Sequence, residues 1–242
     1  MKVSKEEKLF MRSFFGKVGK AINDYNMIED GDSVLVGISG GKDSLTLLNV
    51  LASRARSKSN NYKVIAAHIA VENMEYEVDL SYLQKMCKEL DVQFISKSIC
   101  FGEAIDKPMC FVCSWNRRKA LFEIAKENSC NKLALGHHKD DAIVSLLMSM
   151  MFNGTIASMP PKLAMFKNTF ELIRPLLYVT NAETLSFSLF KKFPLQKKNC
   201  QYEKKTNRDS VTELLDQMEQ LSPQVRSNLF SAMKNIKNEY LP

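Results

Sequence analysis

Apolar residues along this chain recur at two spacings, one typical of helices and one typical of buried strands. In residues 4–26 they return every three or four positions, which predicts an amphipathic helix that begins with a capping box formed by Ser4 and Glu7. Residues 33–38 form a short run rich in β-branched side chains, as in a buried strand, and residues 44–55 return to helical spacing. The chain therefore starts as a helix, a strand, a tight turn and a second helix.

The alternation of strand and helix continues through the middle of the chain. The predicted strands are residues 64–69, 92–95, 133–136 and 170–174, and the predicted helices are residues 79–90, 140–151 and 180–190. Because such units place parallel strands side by side with helices across them, we predict an α/β fold with a parallel sheet covered on both faces. The proline-rich patch at residues 159–162 is expected to interrupt the pattern.

The end of the chain has a different pattern. Residues 191–207 have little apolar periodicity and are predicted to form a loop. Two closing helices are expected at residues 209–220 and 222–236, the second with Ser222 as its N-cap and Pro223 at its first position. These helices are expected to pack on the main domain as a short helical tail.

We divide the chain into three segments on these grounds. An N-terminal helix packed on the domain takes residues 1–30, the α/β domain takes residues 31–190, and the basic loop with the closing helices takes residues 191–242. Residues 191–208 hold seven lysines and arginines and one acidic residue, a net charge of +6, in a chain of net charge +7. This concentration favours a polyanionic partner, since phosphate contacts release counterions, although a solvated surface loop is the alternative.

Composition and cysteine content restrict the class of protein. Of the 242 residues, 45% are hydrophobic and 25% are charged, as in ordinary soluble globular proteins. No stretch of about 20 apolar residues predicts a membrane span, and the charged N-terminus does not predict a secretory signal, so we expect a cytoplasmic protein without a membrane partner. Six cysteines in such a protein are expected to be thiols or metal ligands rather than a disulfide framework.

The glycine loop, which we define as residues 39–44, lies where a predicted buried strand meets a helix. Gly40 and Gly41 let the backbone approach an anion without a clash from a Cβ atom. The N–H groups of the first helical turn point toward such an anion, with the favourable end of the helix dipole. The loop therefore predicts a phosphate site, with a plain strand-to-helix turn as the alternative.

Polar side chains of the glycine loop add to this prediction. Ser39 and Ser44 offer hydroxyl donors, and Lys42 offers a positive charge. Asp43 would repel phosphate unless a divalent cation lay between them, so we interpret this residue as a Mg²⁺ contact.

A second strand-to-helix turn, the acidic loop, spans residues 136–141 and reads Gly-His-His-Lys-Asp-Asp. Gly136 follows a predicted strand, while Asp140 and Asp141 stand at the start of a predicted helix. One interpretation is structural: the two carboxylates cap the N-terminus of this helix and complement its dipole. A role near a bound phosphate and its cation is the functional interpretation.

The cysteines point to a metal or cluster site. Cys110 and Cys113 form a Cys-x-x-Cys pair that opens a predicted helix, where the helix N-terminus and nearby arginines favour thiolates. One pair does not complete a tetrahedral zinc site, and the sequence has no second pair. Cys200 in the basic loop is the candidate third ligand, Cys87 and Cys130 fit as buried thiols, and the role of Cys100 stays open. Three thiolates suit a cluster with one iron not ligated by protein.

Taken together, the motifs resemble those of a known family. The glycine loop resembles the Ser-Gly-Gly-x-Asp-Ser signature of the PP-loop ATP pyrophosphatases, and the acidic loop resembles the Gly-His-His-x-Asp-Asp motif of PP-loop tRNA-modifying enzymes. With several further matches the chain resembles the TtcA family over residues 10–237. These matches are Cys110-x-x-Cys113, Arg117-Arg118, Gly154, Met159-Pro160-Pro161-Lys162, Ile173-Arg174-Pro175-Leu176, and Phe193-Pro194 ahead of Cys200.

The resemblance implies a fold, a reaction and a set of partners. The fold would be adenine nucleotide alpha hydrolase-like, and the enzyme would use ATP, Mg²⁺ and a [4Fe-4S] cluster to convert cytidine 32 of tRNA to 2-thiocytidine. A cysteine desulfurase or sulfide would donate sulfur, and a homodimer is included among the expected assemblies. Three alternative functions are a 2-thiouridine thiolase of the same fold, a lysidine-type ligase of the same fold, and a relative that binds ATP or RNA without catalysis.

The resemblance also assigns roles to residues. ATP would be bound by the glycine loop, by Gly136 and Asp141, and by Ala67 and His68 at the end of the second strand. The reaction would depend on Asp43, on Asp140, and on a cluster held by Cys110, Cys113 and Cys200. One departure concerns the last ligand: family members usually show Pro-Cys-x-x-Cys there, whereas this chain has Asn199-Cys200-Gln-Tyr-Glu203, so the cysteine is kept but its surroundings differ.

Overall fold

The structure, a computed structural model, describes residues 4–58, 60–72, 78–102, 109–194 and 206–240. Its strands in these ranges are β1 Ser33–Gly37, β2 Lys63–Val71, β3 Gln93–Ile99, β4 Lys132–Ala134, β5 Lys162–Met165 and β6 Phe170–Ile173. Its helices are α1 Lys5–Asp24, α2 Lys42–Ala55, α3 Leu80–Glu89, α4 Met109–Glu127, α5 Lys139–Asn153, α6 Asn181–Phe190, α7 Asn207–Leu221 and α8 Val225–Ala232.

Six strands in the described part of the chain form one sheet in the order β3-β2-β1-β4-β6-β5. The first five strands of this order are parallel, so that Val36 pairs with Ala66 of β2 on one side and with Ala134 of β4 on the other. This arrangement confirms the predicted α/β fold. Because β1 and β4 are neighbours, the glycine loop and the acidic loop that follow them lie side by side at the carboxyl edge of the sheet.

The edge strand β5 was not expected from the sequence. It begins directly after the two prolines of the predicted interruption and pairs antiparallel with β6 through a turn in which Phe166, Lys167 and Asn168 have positive φ angles. The strand has only four residues, and Leu163 is 42% exposed, so no apolar run announces it. The sheet is therefore mostly parallel with one antiparallel edge.

Helices cover both faces of the sheet, and the apolar periodicity explains which side they bury. On one face, Phe14 of α1 stacks on Phe187 of α6 with ring centroids 4.7 Å apart, next to Leu48 of α2. On the other face, Ile124 of α4 packs in a separate cluster with Leu35 of β1. The predicted capping box of α1 is present, because the Glu7 N–H donates to the Ser4 hydroxyl at 3.0 Å.

The closing helices α7 and α8 pack on α5. Val211 and Leu215 of α7 are buried against Ile143 of α5. The predicted N-cap of the last helix is wrong: Ser222 is the C-cap of α7, its N–H bonded to the Met218 carbonyl, and α8 begins only after a turn. No helix in the described ranges is long and apolar enough to cross a membrane.

Candidate functional site

A cleft of about 420 Å³ opens at the carboxyl edge of the sheet, between the two loops and the N-terminal half of α4. Six of the predicted site residues line it: Ser39, Asp43, Ser44, Ala67, Gly136 and Asp141. Of the other predicted residues that the structure describes, Gly40, Gly41, Lys42, His68 and Asp140 are not in its lining, and neither are the two cysteines of α4. The strand order thus brings the two loops, the end of β2 and α4 to one place.

The glycine loop is held by its own side chains. The Ser44 hydroxyl donates to the Gly41 carbonyl at 2.8 Å and accepts from the Ser39 N–H at 3.1 Å, and the Gly41 N–H donates to the Ser39 hydroxyl at 3.3 Å. Gly40 has a φ of +87°, in the left-handed region that favours glycine. Gly41 is the N-cap of α2, so no capping side chain covers the first amides of this helix, whose residues Asp43 and Ser44 line the cleft.

Gly136 allows the two loops to touch. A Cβ atom at this position would lie 3.0 Å from the Asp43 carbonyl carbon and 3.0 Å from the Ser44 nitrogen. Both are backbone atoms, which a side chain cannot displace cheaply. The glycine therefore sets the width of the cleft floor between the loops.

Lys42 and Asp43 differ in their orientation. The Lys42 ammonium donates to Asp43 Oδ1 at 2.6 Å, to Asn181 Oδ1 at 2.7 Å and to the Thr184 hydroxyl at 3.0 Å. These contacts tie the start of α2 to the first turn of α6. Asp43 lines the cleft, with a side chain 31% exposed, and so presents carboxylate oxygen to it.

The two aspartates of the acidic loop face different surroundings. Asp141 lines the cleft, accepts from the His138 N–H at 2.8 Å and pairs with Arg208 of α7. Asp140 is buried and accepts from the Asn181 N–H at 2.7 Å and from Arg226 of α8 at 2.5 Å. The loop therefore gives one carboxylate to the cleft and one to the packing of the C-terminal helices.

The end of β2 lines part of the cleft, but its histidine ring does not. Ala67 and Ile69 line the cleft, whereas the His68 ring is buried with its Nδ1 2.8 Å from the Ile38 carbonyl oxygen. Burial lowers the pKa of His68, so its neutral ring bridges the ends of β1 and β2. Arg117 of α4 donates to the Ile69 carbonyl at 3.1 Å and 3.3 Å, which holds α4 beside this strand end.

The cysteines fall into two groups. Cys110 is exposed and Cys113 half-buried, three residues apart in the first turns of α4, immediately before the cleft-lining Ser114. Burial instead raises the pKa of Cys87 to about 11 and also raises that of Cys130. Cys200 lies outside the described residues, within which no three potential metal ligands come together.

The predicted site residues did not include three cationic or imidazole side chains around the cleft. Arg118 and His137 line it, and burial lowers the pKa of His137 to about 4, against the opposing charge of Asp141. Arg174 is buried behind them, and burial lowers its pKa to about 10. The signal was present, because His137 belongs to the acidic loop, and both Arg118 and Arg174 belong to matched motifs.

Comparison with known proteins agrees with the motifs. A family model described as a PP-loop domain matches residues 12–218. The tRNA-cytidine(32) 2-sulfurtransferase of Ralstonia pickettii is 36% identical over 230 residues, 93% of this chain and 73% of that protein. A tRNA-cytidine(32) 2-sulfurtransferase of Francisella tularensis subsp. novicida is 35% identical over 234 residues, which cover 93% of this chain and 86% of the length of that protein.

A solved structure shares the fold. The U34-tRNA thiolase NcsA from Methanococcus maripaludis, determined with its [4Fe-4S] cluster, superimposes with a TM-score of 0.73 over 94% of this chain and 80% of that chain. The sequence identity is 22%, so the match is evidence for the shared architecture alone.

Proposed function

We infer the function of this chain from its family: it belongs to the PP-loop family and, within it, to the tRNA-cytidine(32) 2-sulfurtransferases, as its resemblance to the TtcA family predicts. We propose that it is an ATP-dependent tRNA thiolase that converts cytidine 32 to 2-thiocytidine. One observation carries this proposal: the glycine loop and the helix bearing Cys110 and Cys113 border the same cleft. Activation of an oxygen and its replacement by sulfur would then occur in one place.

In the first step of the proposed reaction, residues of the cleft bind ATP and activate the target base. In this step O2 of the cytosine attacks the α-phosphorus of ATP, the bond to pyrophosphate breaks, and the base carries AMP on that oxygen. The amides at the start of α2 would hold the departing pyrophosphate and, with the positive end of the helix dipole, offset its charge. Asp43 is the residue that we assign to Mg²⁺, because its carboxylate lines the cleft next to the loop backbone. Ala67 and Ile69 would adjoin the adenine.

The sulfur step requires a donor, and the cysteines fit an iron–sulfur cluster. Cys110 is exposed and Cys113 half-buried at the start of a helix beside the cleft, whereas burial raises the pKa of Cys87 and makes that thiol a poor ligand. Cys110, Cys113 and Cys200 would hold a [4Fe-4S] cluster, which when bound would supply sulfur at an iron free of protein ligands. Sulfur bonds to C2 of the base, the C2–O2 bond breaks, and AMP leaves.

The partners follow from charge and chemistry. The basic residues 191–208 and the arginine pair of α4 would contact the tRNA backbone. A cysteine desulfurase or sulfide would replenish sulfur, and the chain would act in the cytoplasm. A homodimer stays a prediction.

The reaction products test the proposal. Anaerobically reconstituted protein is supplied with ATP, Mg²⁺, tRNA and sulfide, the nucleotides are separated by chromatography, and the modified nucleosides are identified by mass spectrometry. We expect AMP, pyrophosphate and 2-thiocytidine. ADP with phosphate would make this a different ATPase, 2-thiouridine would assign it to the uridine thiolases, and ATP binding without turnover would leave a non-catalytic relative.

Cysteine variants test the cluster separately. Serine at Cys110, Cys113 or Cys200 should abolish thiolation and lower iron content, whereas serine at Cys87 or Cys130 should lower stability only, because these thiols are buried. Thiolation by wild-type protein that contains no iron, with a cysteine desulfurase as the sulfur source, would exclude the cluster and favour a persulfide that the desulfurase transfers to a cysteine.

A further inference from the structure

Two aromatic side chains on α4 are exposed beside the cleft. Phe111 is 53% exposed and Trp115 is 54% exposed, whereas the later half of the same helix buries Ala120 and Ile124 in the core. Large aromatic side chains normally contribute to a core, so an exposed pair on one helix suggests a surface that is covered when a ligand binds.

Helix geometry places this pair next to an arginine that lines the cleft. Phe111 and Trp115 are four residues apart, hence neighbours on one face, and lie about 6 Å apart along the helix axis. Arg118 follows Trp115 by three residues and Phe111 by seven, so it continues the same stripe. We call Phe111, Trp115 and Arg118 the α4 stripe. Ser114, which lines the cleft, precedes Trp115 directly, so the stripe begins at the cleft rim.

The chemistry of the stripe favours an unpaired nucleobase over an apolar protein surface. Nucleobases stack on aromatic side chains, and an adjacent guanidinium can stack on a base or pair with its phosphate. Exposed polar residues flank the stripe on α4, Ser114 on one side and Lys119 on the other, and Arg118 adds a positive charge within it, which favours an anionic partner such as RNA.

We propose that the α4 stripe is a stacking platform for an unpaired base of the tRNA loop, one that lies near the target cytidine. This inference rests on the proposed function, because it presumes that a tRNA loop enters the cleft. Trp115 would stack on the base, Phe111 would extend the platform toward the cysteine pair, and Arg118 would neutralise the adjoining phosphate. Binding there would orient the loop so that the target base reaches the cleft.

Trp115 is the only tryptophan of the chain, so its fluorescence reports on this surface alone. Reconstituted wild-type protein is titrated with unmodified tRNA, and tryptophan emission is followed alongside filter binding. We expect quenching that follows the binding curve. Trp115→Ala should weaken tRNA binding about tenfold and leave its salt dependence unchanged, because a stacking contact rather than a phosphate contact is lost. Trp115→Phe should restore most of the affinity.

Phe152 provides the matched control, because it is 53% exposed on α5, eleven residues beyond the cleft-lining Asp141. Phe152→Ala should leave tRNA binding within about twofold, and Phe111→Ala should weaken it, since only the second shortens the platform. Thermal unfolding of each variant checks that the fold is retained.

The outcomes separate this inference from the proposed function. If wild-type protein thiolates tRNA but the emission does not change and Trp115→Ala binds normally, the stacking platform is wrong while the proposed function stands. If emission instead shifts with protein concentration and not with RNA, a second copy of the chain covers the stripe, which also overturns the inference. Failure of the wild-type protein to bind or thiolate tRNA refutes the proposed function itself.

Discussion

The glycine loop and the acidic loop connect strand to helix at the same edge of the sheet, on the neighbouring strands β1 and β4, but different parts of the chain hold them. The turn of the glycine loop is stabilised from within, by hydrogen bonds of Ser39 and Ser44 to residues no more than five positions away, and its Lys42 side chain bonds to a distant helix, α6. The acidic loop has a local capping box between His138 and Asp141, but distant residues hold both of its aspartates, since Asp141 pairs with a residue 67 positions away and Asp140 with one 86 positions away.

This difference separates two tasks that look alike in the sequence. A loop held from within can offer its backbone amides to a ligand, because its side chains already satisfy the turn. A loop held from outside links the cleft to the C-terminal helices, so its two adjacent carboxylates serve different purposes. Substitutions at matched positions in and around the two loops should therefore have different effects.

The largest effect is expected when the buried anchor of the acidic loop is removed. Asp140→Ala takes away the partly buried partner of Arg226 and the acceptor of the Asn181 N–H, and should lower the free energy of unfolding by about 2–3 kcal/mol. Urea denaturation measures this. Asp216 is a second partner of Arg226, and the Asp216 side chain is 61% exposed. Asp216→Ala should therefore lower the free energy of unfolding by less than about 1 kcal/mol. Equal costs would show that Asp140 is not an anchor.

The contact between the loops gives the next largest effect. Gly136→Ala brings a methyl group within 3.0 Å of the glycine-loop backbone and should lower ATP affinity roughly tenfold, measured by calorimetry. Gly16→Ala in α1 has no neighbouring atom within 4 Å and should leave ATP affinity unchanged. Undiminished affinity in the first variant would mean that the loops can separate without affecting the phosphate site.

A dependence on pH is expected from His137, the imidazole of the acidic loop that lines the cleft. Burial lowers its pKa to about 4 from the ordinary 6.5, so the unfolded chain takes up a proton first as the pH falls. Stability is then complete above about pH 6.5 and declines between pH 6.5 and 4. From pH 7 to pH 5 the wild type should lose about 1–2 kcal/mol more than His137→Asn. Urea denaturation measures this. If the wild type and His137→Asn lose the same stability between pH 7 and pH 5, the folded protein accepts the proton on His137.

The smallest effect is expected when the exposed partner of the acidic loop, Arg208 of α7, is replaced. Arg208 is 40% exposed where it pairs with Asp141, so Arg208→Met should change the free energy of unfolding by less than about 1 kcal/mol. The Arg226 side chain is 20% exposed and pairs with three carboxylates, those of Asp140, Asp216 and Glu219. Arg226→Met should therefore lower the free energy of unfolding by more than Arg208→Met does. A larger loss at Arg208 would reverse the assignment of the two aspartates, as measured by thermal unfolding.

Much of the fold follows from features that are local in the chain. The apolar spacing predicted the parallel strands and most helices, and the capping box of α1 depends on residues three positions apart. The strand β5 escaped prediction because it is short and half exposed, and its partner β6 stabilises it. The wrong N-cap at Ser222 arose because the same residue ends α7 and could not also begin α8.

By itself, the sequence determined that a parallel sheet ends in two polar turns, that one turn carries the PP-loop motif, and that the chain belongs with the PP-loop tRNA thiolases. These conclusions rest on spacings and short motifs, which act within a few residues. Only the tertiary structure decided that Asp141 faces the cleft while Asp140 anchors α8, that Lys42 turns toward α6, and that His68 bridges two strands. Adjacent side chains of one type share the same sequence pattern, and the distant residues packed around each one give it a different role.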